Sequence, residues 1–188
     1  MILLMGVAGA GKSIQGHQLA DQYGYAYIST GEIFRVLITG KRRNEMLEGK
    51  LLSDEETIRV VDKVLELIDT SQQFILDGFP RTKPQVDWLL DQHKAGRFRL
   101  PTVINLEVTE EVIRGRLQKR GRLDDTEEAI SVRYQQYQAV TRPLLAYMQK
   151  NGIEIFDIDA DRDPQVVHRD ILRALGHLFA TNPQLKAA

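Results

Sequence analysis

The chain has 188 residues, 43% of them hydrophobic, no cysteine and a formal net charge of −1. That is enough for one α/β domain with small insertions, too little for two full domains, and too apolar for a chain disordered throughout. The charge balance excludes a general nucleic-acid binder, and the missing cysteines exclude a disulfide framework, a thiolate nucleophile and a four-cysteine zinc site.

Ile2–Met5 is an apolar run of strand length. Gly6-Val7-Ala8-Gly9-Ala10-Gly11-Lys12-Ser13 follows and fills G-x-x-x-x-G-K-[ST] at every fixed position. Glycines let the loop turn tightly and let backbone N–H groups approach a phosphate chain. A helix over Lys12–Gln22 then points the positive end of its dipole at the same anion. Lys12 can reach the outer phosphates, and Ser13 offers a hydroxyl to Mg²⁺. The motif predicts a nucleoside triphosphate site.

Further strands are expected at Tyr25–Ser29, Gln73–Leu76, Thr102–Glu107 and Glu154–Ile158. Thr39–Lys50 is polar, basic and weakly periodic, and reads as a small helical insertion on the open end of the sheet. Ser53-Asp54-Glu55-Glu56 is a capping box that starts a helix running to about Asp69. Trp88 falls on an amphipathic helix and reads as packing. A long helix is expected over Thr126–Gln149, with Tyr134 and Tyr137 as packing residues. A last helix follows Asp163-Pro164, an N-cap with proline at the first helical position. Thr181–Ala188 reads as a frayed end. Strands alternating with helices predict an α/β fold of the P-loop NTPase kind: three layers, α/β/α, around a five-stranded parallel sheet. No segment approaches the roughly 20 apolar residues that span a bilayer. The N-terminal run lacks the basic start of a signal peptide, so a soluble cytoplasmic protein is expected.

Two more clusters carry chemistry. Asp77-Gly78-Phe79-Pro80-Arg81-Thr82 follows the third strand, where a carboxylate beside a P-loop can organise a magnesium–water shell and Arg81 can face phosphates. Arg116, Arg120 and Arg122 crowd one short segment, with Asp124-Asp125 just after and Arg133 eleven residues beyond Arg122. Arg116 and Arg120 share a helical face. Converging arginines suit a transferring phosphoryl group, whose charge spreads over its equatorial oxygens. His17, His93, His168 and His177 show no ligand spacing.

Together these pieces resemble the adenylate kinase and nucleoside monophosphate kinase family over nearly the whole chain. The matching segments are Gly6–Lys12, Ser29-Thr30-Gly31-Glu32-Ile33-Phe34-Arg35, Gly49-Lys50-Leu51-Leu52, Asp77–Thr82 with Gln85, and Arg116 through Arg133. The resemblance implies reversible transfer of the γ-phosphoryl of Mg·ATP to a nucleoside monophosphate by a monomer that needs no nucleic acid, membrane or zinc. It implies one domain over 1–188, with an acceptor-binding insertion at about 30–52 and a short lid at about 117–125. Gly9, Ala10, Gly11, Lys12, Ser13, Ile14, Arg116, Arg120 and the backbone of Ala160 would hold ATP. Thr30, Gly31, Arg35, Leu51, Gly78, Arg81, Gln85, Arg122 and Arg133 would hold the acceptor. Lys12 and the arginines at 35, 81, 116, 120, 122 and 133 would act on the moving phosphoryl. Asp77, through water, and Ser13 would organise Mg²⁺. In the family, threonine at the places of Thr30 and Thr82 accompanies AMP, and Gln85 can pair with an adenine edge.

The chain departs from the family at Ala8, where proline is usual, and at Ser13-Ile14, where Gly-Thr is usual. A change in magnesium or phosphate affinity is expected there. The insertion is short, and a single Gly121 separates Arg120 from Arg122, which leaves a minimal lid that excludes water less well. Two other readings stay open on the sequence: a kinase of UMP, CMP or another small acceptor, and a nucleotide-binding regulator with weak transfer.

Overall fold

The computed structural model describes residues 1–48 and 52–176. Five strands, β1 (Ile2–Met5), β2 (Ala26–Ser29), β3 (Phe74–Asp77), β4 (Thr102–Glu107) and β5 (Glu154–Asp159), form one sheet in the order β2-β3-β1-β4-β5. Every pairing is parallel, with Ile2 opposite both Ile75 and Thr102. The expected α/β fold with a five-stranded parallel sheet is therefore observed, with strand ends within a residue of those expected.

β1 is buried along its whole length because helices cover both faces of the sheet, as its unbroken apolar run requires. Its side chains alternate between two cores. Leu3 and Met5 join Ile28, Phe74, Leu76, Phe79 and Leu89 on one face. Ile2 and Leu4 join Leu19, Ile75, Ile104, Ile113 and Ile171 on the other. Trp88 packs against the first core, edge-on to Phe79, as a structural residue should.

Helix α1 (Lys12–Tyr23) follows the first loop, and α2 (Thr30–Leu37) leaves β2 directly. Helix α3 (Gly40–Leu47) is the small helix expected in the polar segment. Helix α4 (Asp54–Leu65) starts where the capping box predicts: the Ser53 hydroxyl accepts from the Glu56 N–H at 3.3 Å and donates to the Glu56 carboxylate at 2.9 Å. Its end falls short of Asp69. Helices α5 (Lys83–Lys94) and α6 (Glu110–Arg120) follow β3 and β4.

The expected long helix runs over 127–150 without interruption but widens in the middle. Helix α7 (Glu127–Gln136) passes through a π-helical turn, Tyr137–Thr141, into α8 (Arg142–Lys150). Pro143 is the cause: it has no N–H for the carbonyl a turn earlier and its ring crowds that carbonyl. The wider turn, closed by the Arg142 N–H on the Tyr137 carbonyl, absorbs the conflict. Helix α9 (Pro164–Ala174) opens on Asp163, whose side chain accepts from the Gln165 N–H at 2.8 Å. The terminal segment expected to fray lies outside the described residues. Among the described residues, no helix is long and apolar enough to cross a membrane.

Candidate active site

β1 and β3 end side by side, and both carry chemistry at their carboxyl ends. After β1, Gly6, Gly9 and Gly11 take φ values of 135°, 89° and 100°, which bend the loop back on itself. A Cβ on Gly6 would lie 2.7 Å from the Leu106 carbonyl oxygen, so nothing larger fits. Helix α1 then begins with no side chain capping its first turn, which leaves its N–H groups and positive dipole end available to an anion.

Lys12 folds back over this loop. Its ammonium donates to the carbonyls of Gly6 (2.7 Å) and Val7 (2.9 Å). Burial lowers its pKa to about 8; Asp77 opposes the shift, while Arg81 and Arg120 add to it.

Asp77 ends β3 as a buried carboxylate. Its Oδ2 accepts from the Tyr27 hydroxyl at 2.9 Å and from the Ser13 hydroxyl at 3.3 Å. The Thr30 hydroxyl donates to the Asp77 main-chain carbonyl at 3.1 Å. Beside it, the Arg81 side chain is folded in, with Nε donating to the Gly78 carbonyl at 2.7 Å. The Thr141 hydroxyl of the π-helical turn donates to the Arg81 carbonyl at 3.2 Å.

Across the cavity, Asp124 and Asp125 hold the arginines in place. Arg120 grips Asp125 with both Nε (2.9 Å) and a terminal nitrogen (2.6 Å). Arg133 donates to the Asp124 carboxylate at 2.6 Å and to its carbonyl at 2.8 Å. Arg35, from α2, lies 3.8 Å from the same Asp124 carboxylate. Burial raises the Asp125 carboxyl, but Arg120, the Arg122 N–H and the Arg133 charge together outweigh it and hold the group below the usual carboxylate range. Burial lowers the pKa of Arg35, and the Arg122 charge adds to the shift. It lowers that of Arg81 too, where Asp77 opposes the shift and Arg133 adds to it. Enclosed cations that disfavour one another's charge form a site made for anions.

A single cavity of about 590 Å³ joins these groups. Lys12, Arg35, Arg81, Arg116, Arg120, Arg122 and Arg133 all line it. So do Gly9, Ala10, Gly11, Ser13, Ile14, Gly31, Asp77, Gly78, Gln85 and Ala160.

Four of the expected site residues stand apart from the rest. Thr30 does not line the cavity; its buried hydroxyl is taken by the Asp77 carbonyl. Gln85 reaches the wall, but its carbonyl oxygen accepts from the Arg81 N–H at 2.7 Å and its amide nitrogen donates to Asp54 at 2.7 Å. Both ends of its amide therefore brace the loop. Leu51 lies outside the described residues. At the other end, the Ala160 carbonyl, expected to meet the ATP base, accepts from Arg116 at 2.8 Å.

Sequence reasoning missed several wall residues. Gln136 ends α7, and Tyr137 and Thr141 come from the π-helical turn that Pro143 signalled. Tyr137 packs as expected, yet it also lines the cavity and donates to buried Asn105 at 3.1 Å. Phe34 comes from α2, whose helical pattern begins directly at Thr30 without a connecting loop.

Comparison with known proteins agrees with this geometry. The family model described as adenylate kinase matches residues 4–153. An adenylate kinase of Corynebacterium urealyticum is 39% identical over 180 residues, covering 93% of this chain and 98% of the relative. One from Corynebacterium glutamicum is 35% identical with the same coverage. One from Nitrobacter hamburgensis is 33% identical, covering 93% of this chain and 91% of the relative. Matched along most of its length, and carrying the P-loop, the Asp77 turn and the arginine cluster in one cavity, the chain belongs to the adenylate kinase family.

Proposed function

We propose that this protein transfers the γ-phosphoryl of Mg·ATP reversibly to AMP, giving two ADP. The observation that carries this reading is the convergence of Lys12 and six arginines on one cavity whose floor is a P-loop. A site that only bound ATP would not need cations on every side of a travelling group.

In this reading the P-loop backbone and the first turn of α1 cradle the ATP phosphates. Lys12 exchanges the carbonyls of Gly6 and Val7 for phosphate oxygens and follows the moving group. Arg35 and Arg81 grip the acceptor phosphate. Arg116, Arg120, Arg122 and Arg133 neutralise the donor side and the transition state as the lid segment closes. The bond from the γ-phosphorus to the β–γ bridging oxygen breaks as a bond forms to an oxygen of the AMP phosphate. That oxygen is already anionic, so no side chain has to remove a proton. Positioning and charge neutralisation do the rest.

The residues present suit magnesium. Ser13 and Asp77 are oxygen donors, and among the described residues no group of three or more His, Cys, Asp or Glu could hold a metal alone. That matches a hard cation that keeps its waters and takes its other ligands from substrate phosphates. When bound, magnesium supplies charge neutralisation across the β- and γ-phosphates.

The family match favours AMP over a pyrimidine acceptor and over a non-catalytic regulator. Thr30 and Gln85 serve this reading as braces of Asp77 and Arg81, behind the groups that meet the phosphates. The segments at about 30–52 and 117–125 act as acceptor insertion and lid. The same reading takes the protein as a cytoplasmic monomer acting on small molecules.

The test is transfer from Mg·ATP to AMP, CMP, UMP and GMP in parallel, with each diphosphate measured. Rapid turnover with AMP alone is expected. Preference for a pyrimidine would overturn the acceptor assignment, and ATP binding without transfer would overturn the enzymatic one.

A further inference from the structure

Tyr27 has no part in the chemistry described so far, yet it is built into the site with some care. It is the second residue of β2, and its hydroxyl ends on Asp77 Oδ2 at 2.9 Å. The Ser13 hydroxyl reaches the same oxygen at 3.3 Å. The ring is seated from two sides. His17 of α1 packs on it with ring centroids 4.5 Å apart. Gly16, also on α1, supplies the space, since a Cβ there would come within 2.3 Å of the tyrosine ring. Every residue of this seat except Asp77 comes from α1 or β2, so the P-loop helix itself fixes the β3 carboxylate.

We propose that Tyr27 is a positioning residue for the metal-organising carboxylate Asp77. The inference rests on the phosphoryl-transfer reading of the cavity. Two hydroxyls converging on Oδ2 fix the plane of the carboxylate and commit that oxygen. Oδ1 is left as the oxygen that meets a metal-bound water. A carboxylate held in one plane needs no reorientation when Mg·ATP arrives. Ser13, one of the chain's departures from its family, is the second half of this clamp.

The experiment uses the full chain and Tyr27→Phe, which keeps the ring, its His17 contact and its place beside Gly16. Calorimetric binding of Mn·ATP is compared with binding of metal-free ATP in EDTA. The magnesium concentration for half-maximal transfer to AMP is measured alongside. The affinity for Mn·ATP is expected to fall about tenfold, the size of one lost hydrogen bond to a charged carboxylate. Metal-free ATP should bind within about twofold of the unaltered protein, and half-saturating magnesium should rise with the loss of Mn·ATP affinity. Equal losses for both forms of ATP would show a merely structural role and overturn the proposal. Unchanged Mn·ATP affinity would overturn it as well. If the unaltered protein transfers to no acceptor while the selective Mn·ATP loss is still seen, the transfer reading fails and the Tyr27 assignment stands.

Discussion

Lys12 keeps its ammonium on the backbone carbonyls of Gly6 and Val7 while no phosphate is bound, and burial holds its pKa at about 8. The unfolded chain keeps that proton up to the ordinary lysine value of 10.5. Between the two values the unfolded state holds more protons, so this group makes the fold more stable as pH rises, by at most about 1.4 kcal/mol per pH unit. ATP binding should reverse the shift, because its phosphates favour the charged ammonium. Binding at pH 9 is therefore expected to take up a proton and to be weaker than at pH 7. Calorimetry in two buffers of different ionisation heat checks this, and Lys12→Met should abolish the uptake; uptake that persists would assign it elsewhere. Gly78 carries a second prediction. It has φ +83°, and a Cβ there would meet the Thr30 hydroxyl at 2.6 Å and the Arg81 guanidinium at 3.0 Å. Gly78→Ala should cost about 2 kcal/mol from left-handed strain and crowding. A melting point lower by roughly 4–8 °C should report it. Displaced Arg81 should also raise KM for AMP several-fold with little change for ATP. An unaltered KM for AMP would mean that Arg81 does not touch the acceptor.

Helices α7 and α8 show how one element can both hide and carry function. The turn at Tyr137–Thr141 brings Thr141 to the Arg81 carbonyl, so a distortion forced by Pro143 becomes a brace for Arg81, the arginine proposed to grip the acceptor. Thr141→Val keeps the shape and removes the donor. A loss of about 1 kcal/mol is expected, with KM for AMP raised and KM for ATP unchanged. Denaturant unfolding and steady-state kinetics on the same preparation test it, and a parallel rise in both KM values would point to general loosening. The starts of α4 and α9 were legible in the sequence because a cap is a local event between Ser53 and Glu56, or Asp163 and Gln165. The P-loop was legible for the same reason. The braces were not. Thr30 and Gln85 read as base contacts, whereas in the fold the Thr30 hydroxyl meets the Asp77 carbonyl, and the Gln85 amide meets both nearby Arg81 and distant Asp54. A side chain's type tells what it can bond, and only the fold decides which partner arrives first.

At the scale of the molecule, the parallel sheet was legible from alternating apolar runs, but its order was not, since nothing local says that β3 and β4 flank β1. That order sets the Asp77 turn beside the P-loop and leaves the arginine-bearing segment after α6 to reach across the cavity. The crossing is short. Residues 121–126 link α6 to α7, and the carboxylate of Asp124 lies between Arg133 on α7 and Arg35 on α2. One carboxylate thus joins the link between α6 and α7 to α2 at the wall of the cavity. Water has to be kept from the γ-phosphoryl, or ATP is hydrolysed in place of transfer. In the proposed reading this link is the lid, and Asp124 is its tie to α2. Asp124→Asn removes the charge and keeps the volume. It should weaken the hold on both arginines and raise the ratio of inorganic phosphate released to ADP formed in the presence of AMP. Parallel assays of phosphate and ADP over a range of AMP concentrations measure that ratio. A several-fold rise with transfer still running would locate water exclusion in this bridge. An unchanged ratio would show that the P-loop and arginines shield the phosphoryl without help from the lid.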